Sequence, residues 1–224
     1  MEFNAIVVDV DGTITYSDRS IDCRAVDALR NMQAPVVIAT GNILCFARAA
    51  AKLVGTGGIV IAENGAVIEC GIVESDTSHL KECEDAFEFL KKHFALEKLD
   101  QEYRKTEIGL RRNFDVRRAR QMLLDYPEIE IVDTGFAVHI KSKTINKGTG
   151  LKRIADLMGL DAKDFVAFGD SPNDIEMLKT AGLGVAVGNA HPELKRAAGM
   201  VTMEEHGAGV AEGLEELKKS GRIR

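Results

Sequence analysis

Two aspartates two residues apart, in the run Asp9-Val10-Asp11-Gly12-Thr13, follow directly on the apolar stretch Ala5-Ile6-Val7-Val8. Side chains alternate along a strand, so both acids point the same way as the chain leaves it. Close carboxylates repel, and a divalent cation or a retained proton relieves the repulsion. An Asp-Gly turn with incidental acids would look the same in isolation. The pattern recurs at Thr40-Gly41-Asn42, after the apolar run Val36-Val37-Ile38-Ala39. Free amides at a helix start there would receive phosphate oxygens, with the Thr40 hydroxyl adding a bond, although a plain capping turn fits equally well.

A third strand end, after Phe165-Val166-Ala167-Phe168, carries Asp170-Ser171-Pro172-Asn173-Asp174. Pro172 suits the first turn of a helix, which leaves Asp170 and Asp174 facing one cleft. Carboxylate oxygens favour Mg²⁺ over a sulfur-seeking metal. Lys147, just before Gly148, would set a positive charge against a nucleophilic carboxylate and a transferred phosphoryl group. A solvated surface cation would look the same in isolation.

These residues need a scaffold that brings several strand ends to one edge. Strands are expected at 4–8, 36–39 and 59–62, with helices at 22–32 and 43–54, which begins an α/β domain with a largely parallel sheet. Short strand-like stretches follow at about 66–73, and then the rhythm changes. A helix at 79–93, a charged strand at 103–112, a helix at 115–125 and a hairpin of 128–133 with 136–141 predict a small α/β insert over 80–144. The core then comprises 1–79 and 145–224. Its second part resumes with a helix at 148–158, a strand at 165–168, a helix at 172–180 and a strand near 184–187.

The composition, 45% hydrophobic and 29% charged over 224 residues, is that of a globular chain. A net charge of -6 argues against a broad nucleic-acid surface. The sequence has no secretory-type leader and no 18-residue apolar run, so neither export nor a membrane span is expected. Cys23, Cys45, Cys70 and Cys83 are widely spaced and read as reduced, which makes the cytoplasm the expected location. His79, His93, His139, His191 and His206 show no metal-binding spacing, and packing, capping or solvent contact is expected for each.

Taken together, the four segments resemble the haloacid dehalogenase-like phosphatases. The DxDx(T/V) motif of that family is matched by Asp9 to Thr13, its Thr or Ser motif by Thr40, its Lys motif by Lys147 and its GDxxND-type motif by Gly169 to Asp174. The position of the insert is similar to that of the C2-capped branch, and its short length is similar to that of archaeal phosphoglycolate phosphatases. Gly188-Asn189-Ala190 and His206-Gly207 also resemble this branch, where they shape the back of the core.

The resemblance implies a Rossmann-like core with a small α/β cap and Mg²⁺-dependent hydrolysis of a small phosphate monoester, most closely 2-phosphoglycolate. Asp9 is then the nucleophile that forms an aspartyl-phosphate, and Asp11 the acid and base. Thr40, Gly41, Asn42, Lys147 and Asn173 would hold phosphate. Asp9, Asp11 through its backbone carbonyl, Asp170 and Asp174 would hold the metal, the last directly or through water. Arg104, Lys105, Arg111 and Arg112 in the insert are candidate contacts for a substrate carboxylate. A broader sugar-phosphate phosphatase and a non-catalytic phosphometabolite-binding or protein-binding member of the fold are the alternatives. Either a monomer or a homodimer is compatible with the sequence.

Overall fold

Ala5-Ile6-Val7-Val8 has no polar face, so a strand made of it must be covered on both sides. In the computed structural model, which describes residues 2–223, it forms β1 (Ala5–Asp9), buried at every residue. The chain continues through α1 (Cys23–Arg30), β2 (Val36–Ala39), α2 (Leu44–Val54), β3 (Ile59–Ala62), β4 (Val67–Cys70) and β5 (Ile72–Ser75). The insert comprises α3 (Leu80–Lys91), β6 (Lys98–Leu99), β7 (Ile108–Arg111), α4 (Val116–Met122), β8 (Ile129–Asp133) and β9 (Ala137–Ser142). The core resumes with α5 (Lys147–Met158), β10 (Phe165–Gly169), α6 (Ile175–Thr180), β11 (Leu183–Ala186), α7 (Pro192–Ala197), β12 (Met200–Val201) and α8 (His206–Lys219).

The core sheet has the order β12-β11-β10-β1-β2-β3-β4-β5 and is parallel from β12 to β3. The last two strands form antiparallel pairs. The chain steps from β1 to β2 in one direction and returns to β10 on the other side of β1. That reversal opens a crevice at the carboxyl ends of the strands, where ligands bind in open α/β sheets. Register places Asp9 beside Ala39 and Val8 beside Phe168, so the polar residues after these strands emerge on one edge.

The insert builds its own antiparallel sheet, β6-β7-β9-β8. Cys83, Leu90, Leu110, Val138 and Ile140 form an apolar cluster there, separate from that of the core. The expected strand over 103–112 is shorter, with only Ile108–Arg111 pairing. The amides of Lys105 and Thr106 are diverted from the ladder to the Glu63 carboxylate, at 3.0 and 2.9 Å, and the Thr106 hydroxyl joins them at 2.6 Å. The expected helix over 172–180 opens with a 3-10 turn, Pro172–Asp174. The elements α7 and β12 have no counterpart among the expected elements.

Glu63 reaches the insert from a strained turn. Glu63, Asn64 and Gly65 all have left-handed backbones, with φ of 46°, 53° and 104°. For the two non-glycine residues this costs about 1–2 kcal/mol each. At Gly65 no side chain is possible, because a Cβ would lie 2.0 Å from the Asn146 carbonyl oxygen. The turn therefore packs against the residue preceding Lys147 while its carboxylate clips the insert. Glu63→Ala removes the acceptor of three hydrogen bonds, and hydrogen exchange at the Lys105 and Thr106 amides is expected to accelerate at least about tenfold. Unchanged protection at those amides would show that the clip does not hold the insert.

Candidate active site

Asn146 caps α5 by accepting from the Thr149 amide, while the Thr149 hydroxyl accepts from the Asn146 amide. This capping box fixes the first turn of the helix and, with it, Lys147. The side chain is 1% exposed, and its Nζ donates to Asp9 Oδ1 at 2.5 Å and to Asp174 Oδ1 at 2.6 Å. Asp174 Oδ2 accepts from the amides of Asp170 and Ser171, both at 3.1 Å. The Thr13 hydroxyl donates to Asp170 Oδ1 at 3.3 Å. Gly12 closes the approach between the first and fourth motifs. Its φ is 87° and a Cβ would lie 2.4 Å from Asp170 Oδ2. Asn189 Nδ2 donates to the Gly12 carbonyl at 2.9 Å, and His206 Nδ1 contacts it at 2.8 Å, so the loop is held from behind.

The other side of the site is wound around Thr40. Its buried hydroxyl accepts from the Asn42 amide at 3.1 Å and from Asn42 Nδ2 at 3.3 Å. Asn42 Nδ2 also donates to Asp11 Oδ2 at 2.8 Å, and Arg19 Nε donates to Asp11 Oδ1 at 3.1 Å. Gly41, Asn42 and Asn173 line, with Asp9 and Asp11, a partly enclosed chamber of about 210 Å³ between core and insert. A wider groove of about 1440 Å³ reaches Lys147 and Asp170 along β8.

Of the four basic residues singled out in the insert, only Arg104 lines the chamber. Arg111 pairs with Glu97 and Arg112 with Asp133, both more than half exposed, and Lys105 is exposed. The reason is local: Arg111 at the end of β7 and Arg112 just beyond it are drawn into exposed ion pairs, whereas Arg104, ahead of the strand, is buried against the core. Arg104 Nη1 donates to the Gly41 carbonyl at 3.1 Å and to Glu107 Oε1 at 2.5 Å. Glu107 also accepts from Asn64 Nδ2 and meets His139 Nδ1 at 2.7 Å. Burial alone would raise the Glu107 carboxyl, but His139, Arg104 and Asn64 outweigh it and hold the group down at about 2.

Arg19, Glu63, Asn64, Glu107 and His139 were not read from the sequence as site residues. Glu63-Asn64 had a visible signal, since it follows an apolar strand as Asp9, Thr40 and Asp170 do. Glu107 and His139 had none, because their juxtaposition depends on the register that sets Gly109 opposite His139.

Burial is the largest influence on Asp9, and together with the Asp174 and Asp170 charges it raises the carboxyl well above the usual range against the pull of Lys147. Asp170 is pushed up to about 7, by burial first and then by Asp174. Burial would lower Lys147, but Asp174 and Asp9 together raise it. One carboxylate oxygen from each of Asp9, Asp170 and Asp174 lies within 4.8 Å of the others. Three carboxylates face one ammonium, and this excess of negative charge on hard oxygen donors fits Mg²⁺. The Asp11 carboxylate stands outside this cluster.

The sign of the pH dependence follows. An acid whose pKa is raised on folding makes the metal-free native state lose stability as pH rises toward that pKa. Mg²⁺ competes with the retained proton. The increase in melting temperature on adding Mg²⁺ is therefore expected to be larger at pH 8 than at pH 6, with the change centred near 7, as for Asp170. Equal Mg²⁺-induced shifts at both pH values would contradict this electrostatic assignment.

Comparison with known proteins agrees with the architecture and with the order of the motifs. A family model described as haloacid dehalogenase-like hydrolase matches residues 6–121 and 121–214. The chain is 52% identical over 226 residues to a phosphoglycolate phosphatase of Methanosarcina acetivorans, covering 100% of both chains. It is 46% identical to a phosphoglycolate phosphatase of Archaeoglobus fulgidus, covering 95% of this chain and 96% of that one. The solved structure of Thermoplasma acidophilum 0175 superposes with a TM-score of 0.88 at 20% identity, covering 97% and 99% of the two chains. The core topology, the motif residues converging on Lys147 and the full-length identities lead to one conclusion: the chain belongs to the haloacid dehalogenase-like hydrolases.

Proposed function

We propose that the chain hydrolyses 2-phosphoglycolate to glycolate and phosphate, with the unit over 80–144 acting as a cap on the core. The observation that carries this reading is the small chamber that joins Asp9 to Arg104. At about 210 Å³ it lies below the range of roughly 300–1,000 Å³ typical of sites for larger organic ligands. It suits a short leaving group, and the guanidinium in its wall suits a carboxylate. Full-length relatives that carry the phosphoglycolate phosphatase name support the same substrate.

In the first step an Asp9 carboxylate oxygen attacks phosphorus as the bond from phosphorus to the ester oxygen breaks. Asp11 gives its proton to the departing glycolate oxygen. In the second, water attacks the aspartyl-phosphate, Asp11 takes the water proton, and the bond from phosphorus to Asp9 breaks to release phosphate. Asn42, hydrogen-bonded to Asp11, orients that carboxyl. Lys147 fixes Asp9 for in-line attack and offsets the charge of the phosphoryl oxygens, and Thr40, Gly41 and Asn173 complete the phosphate cradle. Asp9, Asp170 and Asp174, with the Asp11 carbonyl as a further donor, would hold Mg²⁺, whose positive charge would keep Asp9 ionised and screen it from the substrate.

Among the described residues, no helix is long and apolar enough to cross a membrane. The four free cysteines support a cytoplasmic setting. The wide groove along β8 is the one feature that favours a broader sugar-phosphate phosphatase.

Acid quenching during turnover of phosphoryl-labelled 2-phosphoglycolate is expected to leave label on Asp9, and Asp9→Asn to lower kcat at least about a thousandfold. Label recovered on another side chain would overturn the assignment of the nucleophile. In a panel of phosphate esters, kcat/KM for 2-phosphoglycolate is expected to exceed that for hexose phosphates by about a hundredfold, since that ratio reports differential binding of the transition state. A flat ranking would favour the sugar-phosphate reading.

A further inference from the structure

The chamber has a second arginine, and it comes from the core. Arg19 sits at the tip of a short hairpin closed by the bridge between Thr15 and Ile21. Its backbone φ is 69°, a conformation that side-chain-bearing residues rarely adopt. The tip is braced so that the conformation persists. The Arg19 amide donates to the Tyr16 carbonyl at 2.9 Å, and the Tyr16 amide donates to the Ser20 carbonyl at 2.9 Å. The Ser20 amide and hydroxyl both donate to Asp18 Oδ1, at 2.9 and 2.6 Å.

The side chain is thereby aimed over the site. Its Nε donates to Asp11, and its guanidinium carbon lies 5.3 Å from the centroid of Phe136, a residue of the loop joining β8 to β9 in the insert. An arginine has five N–H donors in a planar fork. The Asp11 contact uses one, and among the described residues the Nη edge makes no hydrogen bond. Arg104 is differently committed: its Nη1 is taken by Gly41 and Glu107, and its Nε is enclosed without a partner among the described residues. Its charge is offset by a Glu107 side chain that is 2% exposed.

We propose that Arg19 is a specificity-determining residue, whose free Nη edge takes the carboxylate of the leaving group while Phe136 stacks on the guanidinium. This inference rests on the 2-phosphoglycolate reading and extends it, because it moves part of substrate selection from the insert to the core. A planar fork matches a carboxylate bidentately, and a guanidinium placed on an aromatic face is held in orientation without losing its donors. The same side chain touches Asp11, so the group that selects the leaving group also stands beside the group that protonates it. A phosphate ester without a carboxylate leaves the Nη edge to solvent.

The experiment compares 2-phosphoglycolate with ethyl phosphate, which has a leaving group of similar size and no carboxylate, in the parent, Arg19→Lys and Arg19→Gln proteins with Mg²⁺. Loss of the Asp11 contact affects both esters, so the informative quantity is the ratio of their kcat/KM values. In Arg19→Gln that ratio is expected to fall about tenfold to a hundredfold, as for removal of a charge-assisted hydrogen-bonding partner. Arg19→Lys, which keeps the charge but not the fork, is expected to fall between the two. Equal losses for both esters would overturn the proposal and leave Arg19 only as a support for Asp11. A parent enzyme with no preference for 2-phosphoglycolate would overturn the substrate reading itself, and this inference with it. The first failure appears only in the variants and the second already in the parent.

Discussion

The buried ammonium of Lys147 lies between Asp9 and Asp174, and much of the molecule is arranged around that contact. Removing three carboxylates and an ammonium from water is costly, and mutual attraction compensates only when geometry is tight and the remaining lone pairs are bonded. The structure meets those conditions with separate devices. The capping box at Asn146 fixes the origin of the lysine, two amides of the fourth motif occupy the free oxygen of Asp174, and Thr13 reaches Asp170. Even so the cluster remains too negative, as the raised Asp9 and Asp170 carboxyls express. The negative excess that makes the metal-free site unfavourable is what gives it an affinity for a small divalent cation.

The turn at Glu63, Asn64 and Gly65 connects this cluster to the insert. Its left-handed backbone brings three functions to one place: Glu63 clips Lys105 and Thr106, Asn64 links Asn173 to Glu107, and Gly65 permits close contact with the start of α5. Strain of this kind persists only where the surroundings compensate it, and here the hydrogen bonds across the junction do so. Arg104 and His139 are consequently held in the wall of the chamber by the same network that positions Asn173.

The fold and the gathering of Asp9, Thr40 and Asp170 at one sheet edge were legible in the sequence because both depend on local pattern. Apolar runs of four or five residues, each ended by a polar cluster, specify strands whose carboxyl ends share one edge, and Asp9, Thr40 and Asp170 needed only that inference, whereas Lys147, at the start of α5, is singled out by its place between the insert and the Asp170 segment and by the resemblance of the four motifs. The walls of the chamber were less accessible. Arg111 and Arg112 look like Arg104 in a list of basic residues, and only the shortened β7 decides that Arg104 turns inward. His139 pairs with Glu107 through the register of β7 with β9, a relation between segments that no spacing along the chain encodes. Arg19 was obscured by a hairpin tip whose composition reads as ordinary loop.

The central claim is that Lys147 stabilises the buried carboxylates, and a double-mutant cycle between Lys147→Met and Asp174→Asn tests it most directly. Urea unfolding at pH 8 with chelator present isolates the protein from any metal. Lys147→Met alone should destabilise by about 3–5 kcal/mol, because it leaves buried carboxylates uncompensated. The double variant should recover part of that loss, with a coupling energy of about 2 kcal/mol or more. Additive effects, equal to the sum of the single substitutions within about 0.5 kcal/mol, would contradict the claim that this ion pair organises the site.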